Sequence, residues 1–174
     1  ILFDISMCIT AGGYVSRAQR AGEKMAGKYL KDNKGIVTDD PATFFSDPPG
    51  SILPIGGISH GYKGYALSML TELLSMALGG YGRADDSSDD GEANSVFIQI
   101  IDPQAFGSLE DFKKQTNAIK SLCENSRSQD GESSVRVPGQ RAWQYRKQQL
   151  KDGIELYPTI MQDLAIWADK LSVK

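Results

Sequence analysis

Residues 95–101 constrain the fold most, because Val96, Ile98 and Ile100 alternate with Phe97, Gln99 and Ile101 and nearly every position on both faces is a β-former. Such a segment reads as a strand buried on both sides. Residues 1–7 repeat the pattern as an apolar run interrupted only by Asp4, and a charge inside a core strand has a partner or a task.

Between and after these runs the spacing is helical. Residues 15–30 carry Val15, Ala18, Ala21, Met25, Ala26, Tyr29 and Leu30, with Gly22 and Gly27 weakening the pattern, so a short or broken helix is expected. Asp32-Asn33-Lys34-Gly35 is turn chemistry, and Thr38-Asp39-Asp40-Pro41 offers Asp39 or Asp40 as the cap of a short helix beginning at Pro41. After a brief extended piece at 51–55, a long helix is expected over about 64–78, with Leu67, Leu70, Leu74 and Leu78 on its apolar face and Gly79-Gly80 as its stop. Ser108 with Asp111 opens a further helix in a short form of the capping box. Residues 125–134 read as a polar linker, and Val135-Arg136-Val137 as a short strand ended by Pro138-Gly139. A basic helix then follows over about 140–151, and Pro158 starts the last amphipathic one.

The chain is long enough, at 174 residues, for one domain with its own core, and its net charge of −3 with no concentrated basic face argues against a general nucleic-acid binder. Cys8 and Cys123 are far apart, without metal-ligand spacing, and read as buried or incidental thiols of a cytoplasmic protein. No metal site is expected. The longest apolar candidate, residues 65–78, is interrupted by Ser68, Thr71, Glu72 and Ser75, so no membrane span is expected. Residues 83–94 hold five acidic side chains among serine and glycine, a composition that reads as a mobile loop. An EF-hand register starting at Asp86 fails there, since its twelfth position is Phe97 instead of glutamate. The chain begins in a strand-like run without Met, which reads as the C-terminal portion of a longer protein.

The candidate site is Gly61-Tyr62-Lys63-Gly64-Tyr65, which runs directly into an apolar helix. Glycines allow close backbone approach, the lysine brings a point charge, and a helix N-terminus adds N–H donors, a combination suited to an anionic ligand. It is not a P-loop, because Tyr62 separates Gly61 from Lys63 and Gly64 stands where Ser or Thr binds magnesium. Nor does a Gly-x-Gly-x-x-Gly open any helix after a strand, so the ordinary dinucleotide fold is not encoded. His60 is the only histidine, and it sits in the same turn without a partner acid fixed by the sequence; a surface role is its blander alternative. Gln140 and Arg141, at a helix start after Pro138-Gly139, could reach the phosphate or adenosine end of a nucleotide.

Taken in order, several motifs resemble the malate/L-lactate dehydrogenase family that lacks the Rossmann fold. They are Asp4-Ile5-Ser6, Thr38-Asp39-Asp40-Pro41, Leu53-Pro54-Ile55-Gly56-Gly57, Tyr62-Lys63-Gly64-Tyr65 with Glu72-Leu73, Ile101-Asp102-Pro103 with Phe106-Gly107, and Val137-Pro138-Gly139. The resemblance implies an α/β fold with an unusual non-Rossmann mixed sheet flanked by helices, the chain forming part of a larger domain. It implies hydride transfer between NADH or NADPH and a small 2-oxo acid, its 2-hydroxy counterpart or a cyclic imine, in a homodimer. Asp4, Ile5 and Ser6 would line the cofactor site, Tyr62 and Lys63 would contact the nicotinamide nucleotide, and Gln140 with Arg141 would make late cofactor contacts. The family's proton-transferring histidine would lie in an N-terminal portion upstream, which leaves no catalytic residue in this chain and His60 in the wrong place. Tyr62 stands where some relatives carry histidine, and Gln140 where an acidic residue is common. Two alternatives come from other classes: a nucleotide-binding module without chemistry, and a phosphate-binding hydrolase using Lys63.

Overall fold

The computed structural model describes residues 1–80, 94–129, 131 and 134–173, and it divides the chain into two compact units. One comprises Ile5–Ile101; the other joins Ile1–Asp4 to Asp102–Lys174. The expected acidic loop at 83–94, with its calcium register, lies outside the described residues apart from Asn94.

In the first unit, helix α1 (Gly12–Ala21) ends where Gly22 turns left-handed and its N–H caps the carbonyls of Ala18 and Gln19. The expected helix over 15–30 is therefore cut at the glycine that weakened it. Val15 and Ala18 face inward and meet Met25 and Leu30, with Tyr14, Tyr29, Phe44 and Ile52 packed around them. Leu30 belongs to a strand, β1 (Leu30–Lys31), paired antiparallel with β2 (Val37–Thr38) on one side and β3 (Ser51–Ile52) on the other. The hairpin turn is closed by Asp32, whose carboxylate accepts from the N–H groups of Lys34 and Ile36 at 2.9 and 2.8 Å. Asp40, rather than Asp39, caps the 3-10 turn Pro41–Phe45 by accepting from the Ala42 N–H.

Helix α2 (Gly57–His60) passes almost without a break into α3 (Tyr62–Glu72), since Gly61 between them keeps right-handed helical angles. A π turn at Leu73–Ala77 completes the helical run, which stops at Gly80. Its start lies before residue 64 because Tyr62 and Lys63 already have helical backbone. Of the expected apolar face, Leu67, Leu70 and Leu78 are exposed.

The second unit carries α4 (Leu109–Glu124), α5 (Gln140–Asp152) and α6 (Pro158–Leu171), close to the expected bounds. Ser108 accepts from the Asp111 N–H at 2.9 Å and donates to the Asp111 carboxylate at 2.7 Å, so the cap is double. Removing it by Ser108→Ala is expected to cost about 1 kcal/mol in chemical-denaturant unfolding, with Ser108→Thr close to wild type.

Three expected strands are corrected. Residues 1–7, 95–101 and 135–137 belong to no sheet: single backbone bonds join Leu2 to Pro138 and Met7 to Ile55, but among the described residues no continuous ladder forms along any of the three. Their side chains consequently stay largely in the open: Phe3 is 70% exposed and Ile100 91%, whereas Val137 is buried. Both cysteines are exposed, so neither is the buried thiol of the sequence expectation.

Candidate functional site

In the first unit the candidate groups converge through the backbone. The Ile55 N–H donates to the Met7 carbonyl at 2.9 Å, and the Gly64 N–H donates to the Ile55 carbonyl at 3.1 Å. Residues 5–7 and the first turn of α3 are thereby held to the same short stretch of chain. Gly64 is buried at the crossing. A β-carbon there would collide with the Ile55 backbone and lie 2.9 Å from the Met7 carbonyl oxygen, so only glycine fits.

This crossing places Lys63 and Tyr62, which immediately precede Gly64, close in the chain to a point tied to Met7, the neighbour of Ser6. Both side chains are exposed, and the Lys63 amine has no hydrogen-bond or ion-pair partner among the described residues. Ser6 donates its hydroxyl to the Cys8 carbonyl at 3.2 Å, while Ile5 is exposed. Because α2 runs into α3 through Gly61, Lys63 sits in the first helical turn and not on a separate loop ahead of it. The side-chain amine, more than a free helix terminus, is then the cationic element.

His60 ends α2, is exposed, and has its ring 6.3 Å from that of Tyr62. No carboxylate among the described residues holds the imidazole, so the orienting partner that an acid/base histidine needs is missing there. Among the described residues no group of His, Cys, Asp and Glu could hold a metal ion.

The second unit holds Asp4, Gln140 and Arg141. The Pro138 carbonyl accepts from the Leu2 N–H at 3.0 Å, and Gly139, at φ 86°, lets the turn press on Leu2, since a β-carbon there would lie 2.6 Å from that of Leu2. Asp4, two residues on, is exposed. Gln140 accepts from the Val137 N–H at 3.1 Å and donates to the Glu124 carboxylate at 3.4 Å. Arg141 is exposed, its guanidinium 6.0 Å from the centre of the Tyr145 ring. An open cavity of about 280 Å³ in this unit is lined by Ile1, Lys120, Glu124, Gln140, Trp143 and Lys147 among others. The glycine markers were legible in the sequence, whereas Glu124 was not, as nothing local links it to a residue 16 positions away.

A short antiparallel sheet with helices, a glycine crossing beside a lysine, and no phosphate-loop or Rossmann fingerprint define an α/β protein outside the common nucleotide-binding folds. Residues 1–165 match the family model described as malate/L-lactate dehydrogenase, and the chain belongs to that family. It is 27% identical over 99% of its length to a malate dehydrogenase of Pyrococcus abyssi, of which the match covers 49%. It is 30% identical over its whole length to a malate/(S)-sulfolactate dehydrogenase of Methanothermus fervidus, again covering 49%. The structure of a malate dehydrogenase from Pyrococcus horikoshii superposes on 99% of the chain and 47% of its own with a TM-score of 0.76 at 22% identity, which establishes the shared fold. The chain spans about half the length of the relatives it matches.

Proposed function

We propose that the protein containing this chain is an oxidoreductase that transfers hydride between NADH or NADPH and a small 2-oxo acid, its 2-hydroxy counterpart or a cyclic imine. The observation that carries this reading is the Gly64 crossing, which ties the first turn of α3 to Met7 and Ile55. A reduced pyridine nucleotide is an anion with a flat ring, and the residues at hand suit it. The free Lys63 amine offers a positive charge and three donors to a phosphate or carboxamide oxygen, the exposed Tyr62 ring offers an apolar face, and Ser6 offers a hydroxyl. When bound, the nucleotide supplies the hydride.

The chain's own residues hold and orient. Lys63 fixes one anionic point, and the backbone bonds at Gly64 fix the Ile5-Ser6 segment relative to it, so reacting atoms can be held in one geometry. For Asp4 and Arg141, which belong to the other unit, a cofactor contact is proposed from the family resemblance alone. The proton that must reach the carbonyl oxygen as it becomes a hydroxyl is assigned to none of these groups; an acid/base residue elsewhere in the protein is proposed to supply it.

The partners follow from exposed apolar surface. Val96, Ile98 and Ile100 are each more than three-quarters exposed, and relatives twice as long share the fold. A further portion of the protein, of the kind present in those relatives, is proposed to cover these segments, within a homodimer. No helix among the described residues is long and apolar enough to cross a membrane. A cytoplasmic location is proposed from the two free cysteines.

The test is turnover by the full-length protein with NADH and NADPH against a panel of 2-oxo acids and cyclic imino acids. Loss of reduced-nucleotide absorbance with at least one substrate is expected. Binding without turnover would instead identify a nucleotide-binding module, and phosphate release from a nucleotide would identify a hydrolase.

A further inference from the structure

We propose that Gln140 is a positioning residue that latches the Val137-Pro138-Gly139 turn to the end of α4, and through that turn fixes the segment carrying Asp4, without touching the cofactor itself. The inference rests on the reading that Asp4 lines the cofactor site. The resemblance places Gln140 among late cofactor contacts, but both ends of its carboxamide are engaged inside the unit. The oxygen accepts from Val137 N–H at 3.1 Å, and the nitrogen donates to Glu124, the last residue of α4, at 3.4 Å. The turn that it holds is the one whose Pro138 carbonyl accepts from the Leu2 N–H and whose Gly139 abuts Leu2. Val137 is buried at 7% exposure, so its N–H has little access to water and loses its partner outright if the carboxamide goes.

The bonds differ in kind, which makes them separable. Val137 needs only an acceptor, which glutamate supplies as well as glutamine. Glu124 needs a donor, which only the amide supplies. Gln140→Glu keeps the first bond and sets two carboxylates against each other in the second, with Lys120, 3.9 Å from Glu124, and Lys147 on the same cavity wall as the neighbouring cations. Exchanging the pair, Glu124→Gln with Gln140→Glu, rebuilds the second bond with its direction reversed.

The experiment uses the full-length protein and two readouts: the Kd of NADPH and NADH from fluorescence titration, and hydrogen exchange of the Leu2 amide. Gln140→Leu is expected to speed Leu2 exchange and weaken the preferred nucleotide by about 10-fold each, with KM for the nucleotide rising and kcat held. Gln140→Glu is expected to weaken binding several-fold, and the exchanged pair to return it to within about threefold of wild type. An exchanged pair as weak as Gln140→Glu alone would show direct contact with the nucleotide and overturn the latch, as would unchanged Leu2 exchange in Gln140→Leu. If wild type binds neither nucleotide, the cofactor reading fails, and Leu2 exchange still decides whether Gln140 holds the turn.

Discussion

Gly64→Val is expected to lower the unfolding free energy of the full-length protein by about 3 kcal/mol or more, read from the shift of its urea midpoint. The side chain has nowhere to go. Its β-carbon would meet the Ile55 backbone and the Met7 carbonyl oxygen, and neither can rotate aside as a side-chain tip would. Making room separates α3 from the 53–55 stretch and strains the two bonds that hold the crossing, Ile55 N–H to Met7 and Gly64 N–H to Ile55, each worth about 1 kcal/mol net. Gly13→Ala is the matched control: Gly13 lies in α1 with open space around it, so an added methyl there is expected to be neutral or slightly stabilising. A Gly64 variant as stable as the Gly13 control would mean that the crossing is not close-packed.

Lys63→Ala is expected to weaken NADH or NADPH by about 1–3 kcal/mol, the range of a charge-assisted hydrogen bond, while unfolding free energy changes by less than about 0.5 kcal/mol. The separation of the two effects is the informative part. An exposed amine without a partner among the described residues contributes little to the fold, so its loss falls on binding alone. Lys63→Arg keeps the charge and should recover part of the affinity, the remainder reflecting the different geometry of a planar guanidinium. Titration curves that overlay for wild type and Lys63→Ala would remove the lysine from the site.

The features legible in the sequence are those whose physics is local. Asp40 before Pro41, Ser108 with Asp111 and Pro158 at the start of α6 each act within about one turn of chain, and each element falls where these residues put it. Sheet pairing is not local. Strands β1, β2 and β3 are two residues each, too short for any alternation to register, so of this sheet only the turn at 32–35 and the extended piece at 51–55 were legible, and not the pairing. Residues 95–101 had a strong signal, but a strand needs a neighbour, and they pair with none of the described segments. Exposure of so many β-formers follows from that alone.

The site divides along the same line. Tyr62-Lys63-Gly64 stood out because glycine and lysine beside an apolar helix are unusual together, and the match of residues 1–165 to the malate/L-lactate dehydrogenase family model gives the motif order its meaning. What could not be read was why Gly64 is glycine. The reason is backbone that folding brings alongside, that of Ile55 first and then the carbonyl of Met7 far back in the chain. Gln140 is a similar case: its position at a helix start suggested an outward-facing role, whereas its amide turns back to Val137 and Glu124.

The central claim is that the amine beside the Gly64 crossing meets a pyridine nucleotide. Its most direct test is a crystal structure of the full-length protein with bound NADPH or NADH. The account predicts the Lys63 Nζ within about 3 Å of an oxygen of the nucleotide, with residues 5–6 along the same ligand. A nucleotide bound elsewhere, with that amine in open water, would contradict it.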